Sequence, residues 1–376
     1  VNFMALQKLT RGQVDCGMPL PWDVYDEVGK LLLPRGHVVR DADQLQMIMR
    51  RGMYQDFPDP AKTGTAAVAL DKNYDPFRLW NEIVEKLDKL LHHYEECAAV
   101  QKQFAEIAQS VQVLSEHSKD AALAAMILLT QQNRYSLEHC LHAALLADMV
   151  AQRLEWTQER RKSLVCAALS MNISTVDTQQ QLTEQAGPLT PEQREAIKNH
   201  PKSSVDILSR KGVVDSIWLQ SVRDHHETPL GNGYPFGIKE VGEEATLLRT
   251  TDVFSAKVSP RLNRKQMNGA QAARVLFTDP GMTTANPFIA VLIKEVGIYP
   301  PGSFVKLANG ELAVVYKRSS SAHTPVVLSL TNSKGTPEMK PMRRDTAREE
   351  YAIKTVVPRD HINLRINPAT LWGNPA

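Results

Sequence analysis

Four histidines and one aspartate carry the clearest chemical signal in this 376-residue chain: His139, His200, the doublet His225-His226, and Asp252. Imidazole is a good ligand for Zn, Fe, Ni or Mn-type sites, and a carboxylate bridges or completes such sites. Carried at successive helix ends, these five groups can converge on divalent metal ions. Adjacent residues on a helix point about 100° apart, so a His-His doublet reaches one ion only from a helix end or a kink. Pro229, just downstream, supplies such an end. The competing reading is four unrelated histidines at helix ends and on surfaces. Other chemistry is poorly supported: no GxSxG, P-loop or GxGxxG pattern is present. His92-His93 lies on a long helical stretch as a solvated face, and Arg160-Arg161-Lys162 and Arg343-Arg344 are short basic runs of the kind that mark solvated surface.

Periodicity places these residues in a helical middle region. An apolar helix follows Ser136 and runs to Leu154. Thr157 caps the next, which ends near Ser170. Thr190-Pro191-Glu192-Gln193 is a capping box with Pro at the first helical position. That helix is expected to end near His200, because Pro201 follows, and another runs to Lys211 and stops at Gly212. Upstream, Phe77, Trp80, Val84, Leu87, Leu91, Tyr94 and Ala98 recur at steps of three and four. The register slips and resumes at Phe104, Ile107, Val111 and Leu114. Residues 76–117 therefore read as a long helix, packed on its own domain or forming a dimer.

The ends of the chain read differently. Residues 1–57 form a small β-rich module, with Trp22–Tyr25 and Lys30–Leu33 as a hairpin around Asp26-Glu27-Val28-Gly29, followed by a helix bearing Leu45, Ile48 and Met49. Residues 58–75 are a linker. From about 291 a C-terminal β module begins. Phe304–Leu307 and Glu311–Val315 join through Asn309-Gly310, a strong hairpin signal, and Val326–Leu330 is a third strand. The fold class is thus mainly α: a helical core with small β-rich modules at both ends.

Charge and composition restrict the partners. The formal net charge is +2, with 23% charged and 43% hydrophobic residues, so no nucleic-acid or membrane partner is implied by bulk electrostatics. The longest apolar run, Ala121–Leu129, is far short of the roughly 20 residues of a membrane span. The start Val1-Asn2-Phe3-Met4 shows no leader pattern and reads as a trimmed or alternative start. Cys16, Cys97, Cys140 and Cys166 have no ligand-like spacing and read as reduced thiols of a cytoplasmic protein.

The segment His225-His226-Glu227-Thr228-Pro229-Leu230-Gly231-Asn232-Gly233-Tyr234-Pro235 resembles the HHE…DGxGYP signature of the HD-GYP family, a bacterial branch of the HD metal-dependent phosphohydrolases. The resemblance extends in order to Tyr135–His139, to Leu189–Leu208, to Thr251–Ala256 with Arg261–Arg264, and to Val296–Ser303. It spans roughly residues 118–330, with the HD-GYP helical domain expected over 118–290. It implies cyclic di-GMP as ligand, with metals that activate a water for attack on its phosphodiester. By position, His200, His225 and His226 would hold one metal, and His139 and Asp252 the other. Arg261 and Arg264 would face phosphate or solvent. Gly231, Gly233, Tyr234 and Pro235 form a loop that the family links to diguanylate cyclase-type partners, unless the fold alone requires it.

Departures from the family pattern weaken the catalytic expectation. Met171 and Asn172 stand where the His-Asp doublet belongs, Thr175 where a phosphate-contacting lysine belongs, Leu230 before the GYP loop, and Ser255 in place of a second Asp. A neutral Asn cannot bridge two cations, and thioether suits Mn or Fe poorly. A dinuclear site is therefore not expected. The site holds either one divalent metal (Mn, Fe, Ni or Zn) on three histidines, or none. No residue is singled out as catalytic. The resemblance implies a degenerate regulator that binds a cyclic dinucleotide or a partner. The alternatives are a phosphodiesterase using the residual three-His site, and a scaffold, with a homodimer possible through the long helix.

Overall fold

A computed structural model describes residues 7–8, 24–25, 31–33, 37–51, 53–54, 74–131, 134–185, 187–259, 267–283 and 286–372. The chain divides into two compact units, Val1–Asn73 and Tyr74–Ala376.

In the first unit, β1 (Gln7–Lys8), β2 (Val24–Tyr25), β3 (Leu31–Leu33) and β4 (Met53–Tyr54) pair antiparallel in the order β1-β4-β2-β3. The expected hairpin is present, with Val24 opposite Leu33. Helix α1 (Ala42–Arg51) contributes Ile48 to the buried side chains, together with Val24 and Val39. Of the expected linker over 58–75, only Tyr74 and Asp75 lie among the described residues.

The second unit begins with α2 (Pro76–His92), capped by the Asp75 carboxylate, which accepts from the backbone N–H of Phe77 at 2.9 Å. The chain then breaks, and α3 (Val100–His117) follows. The single helix expected over 76–117 is therefore two helices, separated where the apolar register slips. Trp80, Val84, Leu87 and Leu91 of α2 and Phe104, Ile107, Val111 and Leu114 of α3 are buried in one shared core. The apolar stripe is thus buried within the chain's own core.

Helix α4 (Lys119–Leu128) leads to α5 (Tyr135–Arg153). α5 is buried on every side from Tyr135 to Ala151, including the polar Glu138, His139, His142 and Asp148. Its buried Asp148 is gripped by Arg161 of α6 (Gln158–Ser170) through two hydrogen bonds of 2.9 and 2.7 Å. α7 (Val176–Glu184), α8 (Pro191–Arg210), α9 (Ser216–Asp224) and α10 (Glu243–Val258) complete the region that carries the histidines. The Thr190 capping box is formed as expected, but α8 does not stop at His200. It continues through Pro201 for another ten residues or so, to Arg210. α11 (Gly269–Thr278), α12 (Pro280–Thr283) and α13 (Phe288–Val296) close the helical part.

The C-terminal sheet has five strands: β5 (Phe304–Leu307), β6 (Leu312–Lys317), β7 (Val326–Thr331), β8 (Pro337–Asp345) and β9 (Ile353–Val357), in the order β8-β7-β6-β5-β9. The Asn309-Gly310 turn joins β5 and β6 as expected, with Gly310 at φ +91°. The sheet is fastened to the helices by Arg318, which donates to Asp120 at 2.7 Å. The last helix, α14 (Pro368–Trp372), adds a second tie: Trp372 donates to the Tyr316 carbonyl and packs edge-on to Phe77.

Candidate metal centre

Helix α9 is started by Asp215, whose carboxylate accepts from Trp218 N–H, and it ends at Asp224. His225 is the residue that terminates it, at φ −65°, ψ −11°. That helix end lets two consecutive imidazoles turn the same way, with ring centroids 4.1 Å apart. His200 meets them from α8, with centroids 5.1 Å from His225 and 5.0 Å from His226. The ligating nitrogens of the three rings lie within 4.8 Å of one another. Among the described residues this is the group of His, Cys, Asp or Glu able to hold a metal ion.

Backbone carbonyls fix the tautomers. A carbonyl only accepts, so His225 Nδ1 donates to the Val222 oxygen at 2.7 Å and His200 Nδ1 donates to the Ile197 oxygen at 2.6 Å. The second of these bonds depends on Pro201. In a regular helix the N–H of residue 201 would occupy the Ile197 carbonyl, but proline has no N–H to give. The carbonyl is left for the imidazole, and Nε2 is turned outward with its lone pair free. The proline that reads as a helix stop therefore acts as an orienting device for His200. Pro201→Ala is expected to return that carbonyl to the helix ladder and lower Zn affinity by about tenfold, the usual loss for an outer-shell partner. The melting temperature should hold or rise as the helix regains its bond. A competition titration with a chelating dye checks this.

The electrostatics suit a metal. Burial, reinforced by His225, pushes His200 down to about 3. Burial lowers His225 as well, and it holds His226 well below its ordinary value. All three rings are therefore neutral near pH 7, the form that ligates. With both Nδ1 atoms protonated, the Nε2 lone pairs of His200 and His225 face each other at 3.2 Å. Two lone pairs at that distance repel unless a cation lies beside both. Three neutral imidazoles with a direction left for water are an acceptable set for Zn-type ions, so the residues present fit one metal.

His139 and Asp252 are brought together, but as a pair: His139 Nε2 lies 2.7 Å from Asp252 Oδ1. Ser255 closes the arrangement, its hydroxyl 3.1 Å from His139 Nδ1 while donating to the Asp252 carbonyl. Burial alone would raise the Asp252 carboxyl, but the hydrogen bond and charge of His139 outweigh it and hold the group ionised below the ordinary range. Met171 is fully buried in the apolar core. Asn172 is buried and turns its amide toward Cys140 Sγ at 3.7 Å. Thr175 is buried against the Asn172 carbonyl.

The loop after the doublet is held by Glu227, a residue of the HHE pattern to which the sequence assigns no role of its own. The fully buried Glu227 carboxylate accepts from the N–H groups of Phe236, Gly237 and Ile238 at 2.7 to 3.1 Å. The turn presses close: a Cβ at Gly233 would lie 2.5 Å from the Glu227 backbone. Gly231 sits at φ +72°. Tyr234 stacks on His226, with centroids 4.5 Å apart, so it faces the histidines. Pro235 is half-buried, while Leu230 and Phe236 are the exposed apolar side chains of the loop. Arg261 and Arg264 lie outside the described residues. A different arginine, Arg249, bears electrostatically on His225, His226 and Tyr234. Its place three residues before Asp252, on the same helix face, is the signal that could have found it.

Residues 106–280 match the HD domain family. A cyclic di-GMP phosphodiesterase of Pseudomonas aeruginosa is 28% identical over 52% of this chain and 48% of its own length. The cyclic di-GMP phosphodiesterase response regulator RpfG of Xanthomonas campestris is 28% identical over 36% of this chain and 37% of its own. The matches thus span about half or less of these relatives. Among solved structures, Bd1817, a HDG"Y"P protein from Bdellovibrio bacteriovorus, covers 77% of this chain and 98% of its own at 16% identity and a TM-score of 0.47.

Proposed function

We propose, from the premise that this chain belongs to the HD-GYP family of HD-domain proteins, that it serves cyclic di-GMP signalling as a degenerate member. It binds a cyclic dinucleotide or a protein partner and hydrolyses little or none. The observation that carries this reading is the fate of Met171 and Asn172. One is packed in the apolar core and the other turned to a thiol, so neither supplies an anionic oxygen for a second cation. His200, His225 and His226 would hold one divalent ion (Zn, Mn, Fe or Ni), and a bound ion supplies a water of lowered pKa and charge neutralisation at phosphate. Tyr234, held protonated by burial and by the charge of Asp252, can donate a hydrogen bond beside that ion. The exposed Leu230 and Phe236 give the loop an apolar tip for a partner of diguanylate cyclase type. The proposed setting is cytoplasmic. The buried Cys140 and Cys166 are free thiols pushed up to about 12, and no helix among the described residues is long and apolar enough to cross a membrane.

A phosphodiesterase working through the three-His site is the second reading, favoured by the intact neutral triad. Calorimetric titration of the metal-loaded chain with cyclic di-GMP, followed by chromatography of the products, separates the two. Binding with negligible linear product is expected. Robust metal-dependent turnover, lost in His226→Ala, would establish the phosphodiesterase instead.

A further inference from the structure

His200 stands on α8 and the His225-His226 doublet at the end of α9, so the three rings meet only if those helices are held at one spacing. The turn between α6 and α7, residues 171–175, touches both helices. It is closed by its own backbone bonds: Ile173 N–H donates to the Ser170 carbonyl at 3.0 Å and Thr175 N–H to the Asn172 carbonyl at 2.9 Å. On the α9 side, Trp218 Nε1–H donates to the Ser170 hydroxyl at 2.7 Å, about two helical turns before His225. On the α8 side the contact is to a histidine of the site itself. The Ser174 hydroxyl donates to the carbonyl oxygen of His200 at 3.1 Å. The helix ladder takes one lone pair of an interior carbonyl and leaves the other for such a bond.

The donor directions around that contact are fixed. A carbonyl only accepts, so the one hydroxyl hydrogen of Ser174 goes to His200. Ser204 Oγ, 2.9 Å from Ser174 Oγ, is then the donor of that pair. The Ser174 N–H donates back to Ser204 Oγ at 3.4 Å. Ser204 is fully buried one turn beyond His200, so two successive turns of α8 are tied to Ser174.

We propose that this turn is a brace for the three-His site, with Ser174 as a positioning residue that fixes the backbone of His200 relative to α9. The turn that carries Met171 and Asn172 in place of the doublet thus still serves the site, through hydroxyl and backbone bonds. The bound ion rests on the function proposed above; the brace sets how tightly and in what geometry the three rings hold it.

The test uses the full chain, its Ser174→Ala and Ser174→Thr variants, and Ser163→Ala as a control. Ser163 also joins α6 to α9, its hydroxyl 2.6 Å from the Asp215 carboxylate, but at the end of α9 away from the doublet. Zn affinity is measured by competition with a chelating dye. The visible bands of Co(II) loaded in place of Zn report ligand geometry, and melting of the metal-free chain reports stability. Ser174→Ala is expected to weaken Zn binding about tenfold, the lower range for an outer-shell partner, and to shift the Co(II) bands. Ser174→Thr, which keeps the hydroxyl, should recover both. Ser163→Ala should leave both unchanged, whatever it does to melting. Zn affinity and Co(II) bands that are unchanged in Ser174→Ala, even with a lower melting temperature, overturn the role of Ser174 and leave the three-His site standing. An equal loss of affinity in Ser163→Ala also overturns it, since any tie between α6 and α9 would then do the same. A wild type that binds neither ion overturns both the brace and the metal reading.

Discussion

Replacing His225 and His226 together by alanine is expected to take bound divalent metal from about one ion per chain to none. Two of three protein ligands are lost, and His200 alone is no site for a Zn-type ion. The helical core should survive. Both residues lie beyond the last turn of α9, and α9 is anchored by Trp218, packed edge-on to Phe104 and donating to Ser170. Mass-spectrometric metal analysis of protein purified without added metal, with circular dichroism as the folding control, checks both halves. Metal retained by the double variant would place the ion elsewhere in the chain.

Restoring the family doublet is the second large effect. Met171→His combined with Asn172→Asp is expected to raise bound metal to about two ions per chain and cyclic di-GMP turnover by about 100-fold or more. The restored carboxylate could join Asp252 and His139, which at present satisfy each other. The same variant carries a cost without metal. Position 171 is fully buried among apolar side chains and 172 is buried beside Cys140. An unpaired carboxylate and an imidazole there should lower stability by about 3 kcal/mol or more in chelator. Added metal should recover that loss by binding only the folded state. Urea denaturation with and without metal reads the stability, and product chromatography reads the turnover. A variant that takes up no second ion would mean that more than the doublet has been lost.

How far the sequence speaks depends on the range of the interactions that decide each feature. The Thr190 capping box and the Asn309-Gly310 turn are satisfied within a few residues, and both are formed as read. The doublet at a helix end follows from angular spacing alone, and α9 does end there. Pro201 was misread because a proline's local effect is to break a helix. Packing of buried Pro201, Ser204 and Leu208 carries α8 through it, and a side chain takes the freed carbonyl. The break between α2 and α3 shows only as a slip of register, since both helices bury their stripes in one core. β8 was missed because it is a mostly exposed edge strand with prolines at 337 and 341, and it lacks the alternation that marks a half-buried strand. Glu227 stands in the HHE pattern, which does not show what its carboxylate holds, and Arg249 belongs to no short pattern. The carboxylate clamps N–H groups nine to eleven residues away, and the charge of the arginine bears on histidines of another element.

The central claim is a single metal on His200, His225 and His226, with His139 and Asp252 bound to each other. Native mass spectrometry of the wild-type chain across a Zn titration tests it most directly. Saturation at about one ion, with no second tight step, is the expected result. A second ion bound as tightly as the first, or no specific binding at all, would contradict the account.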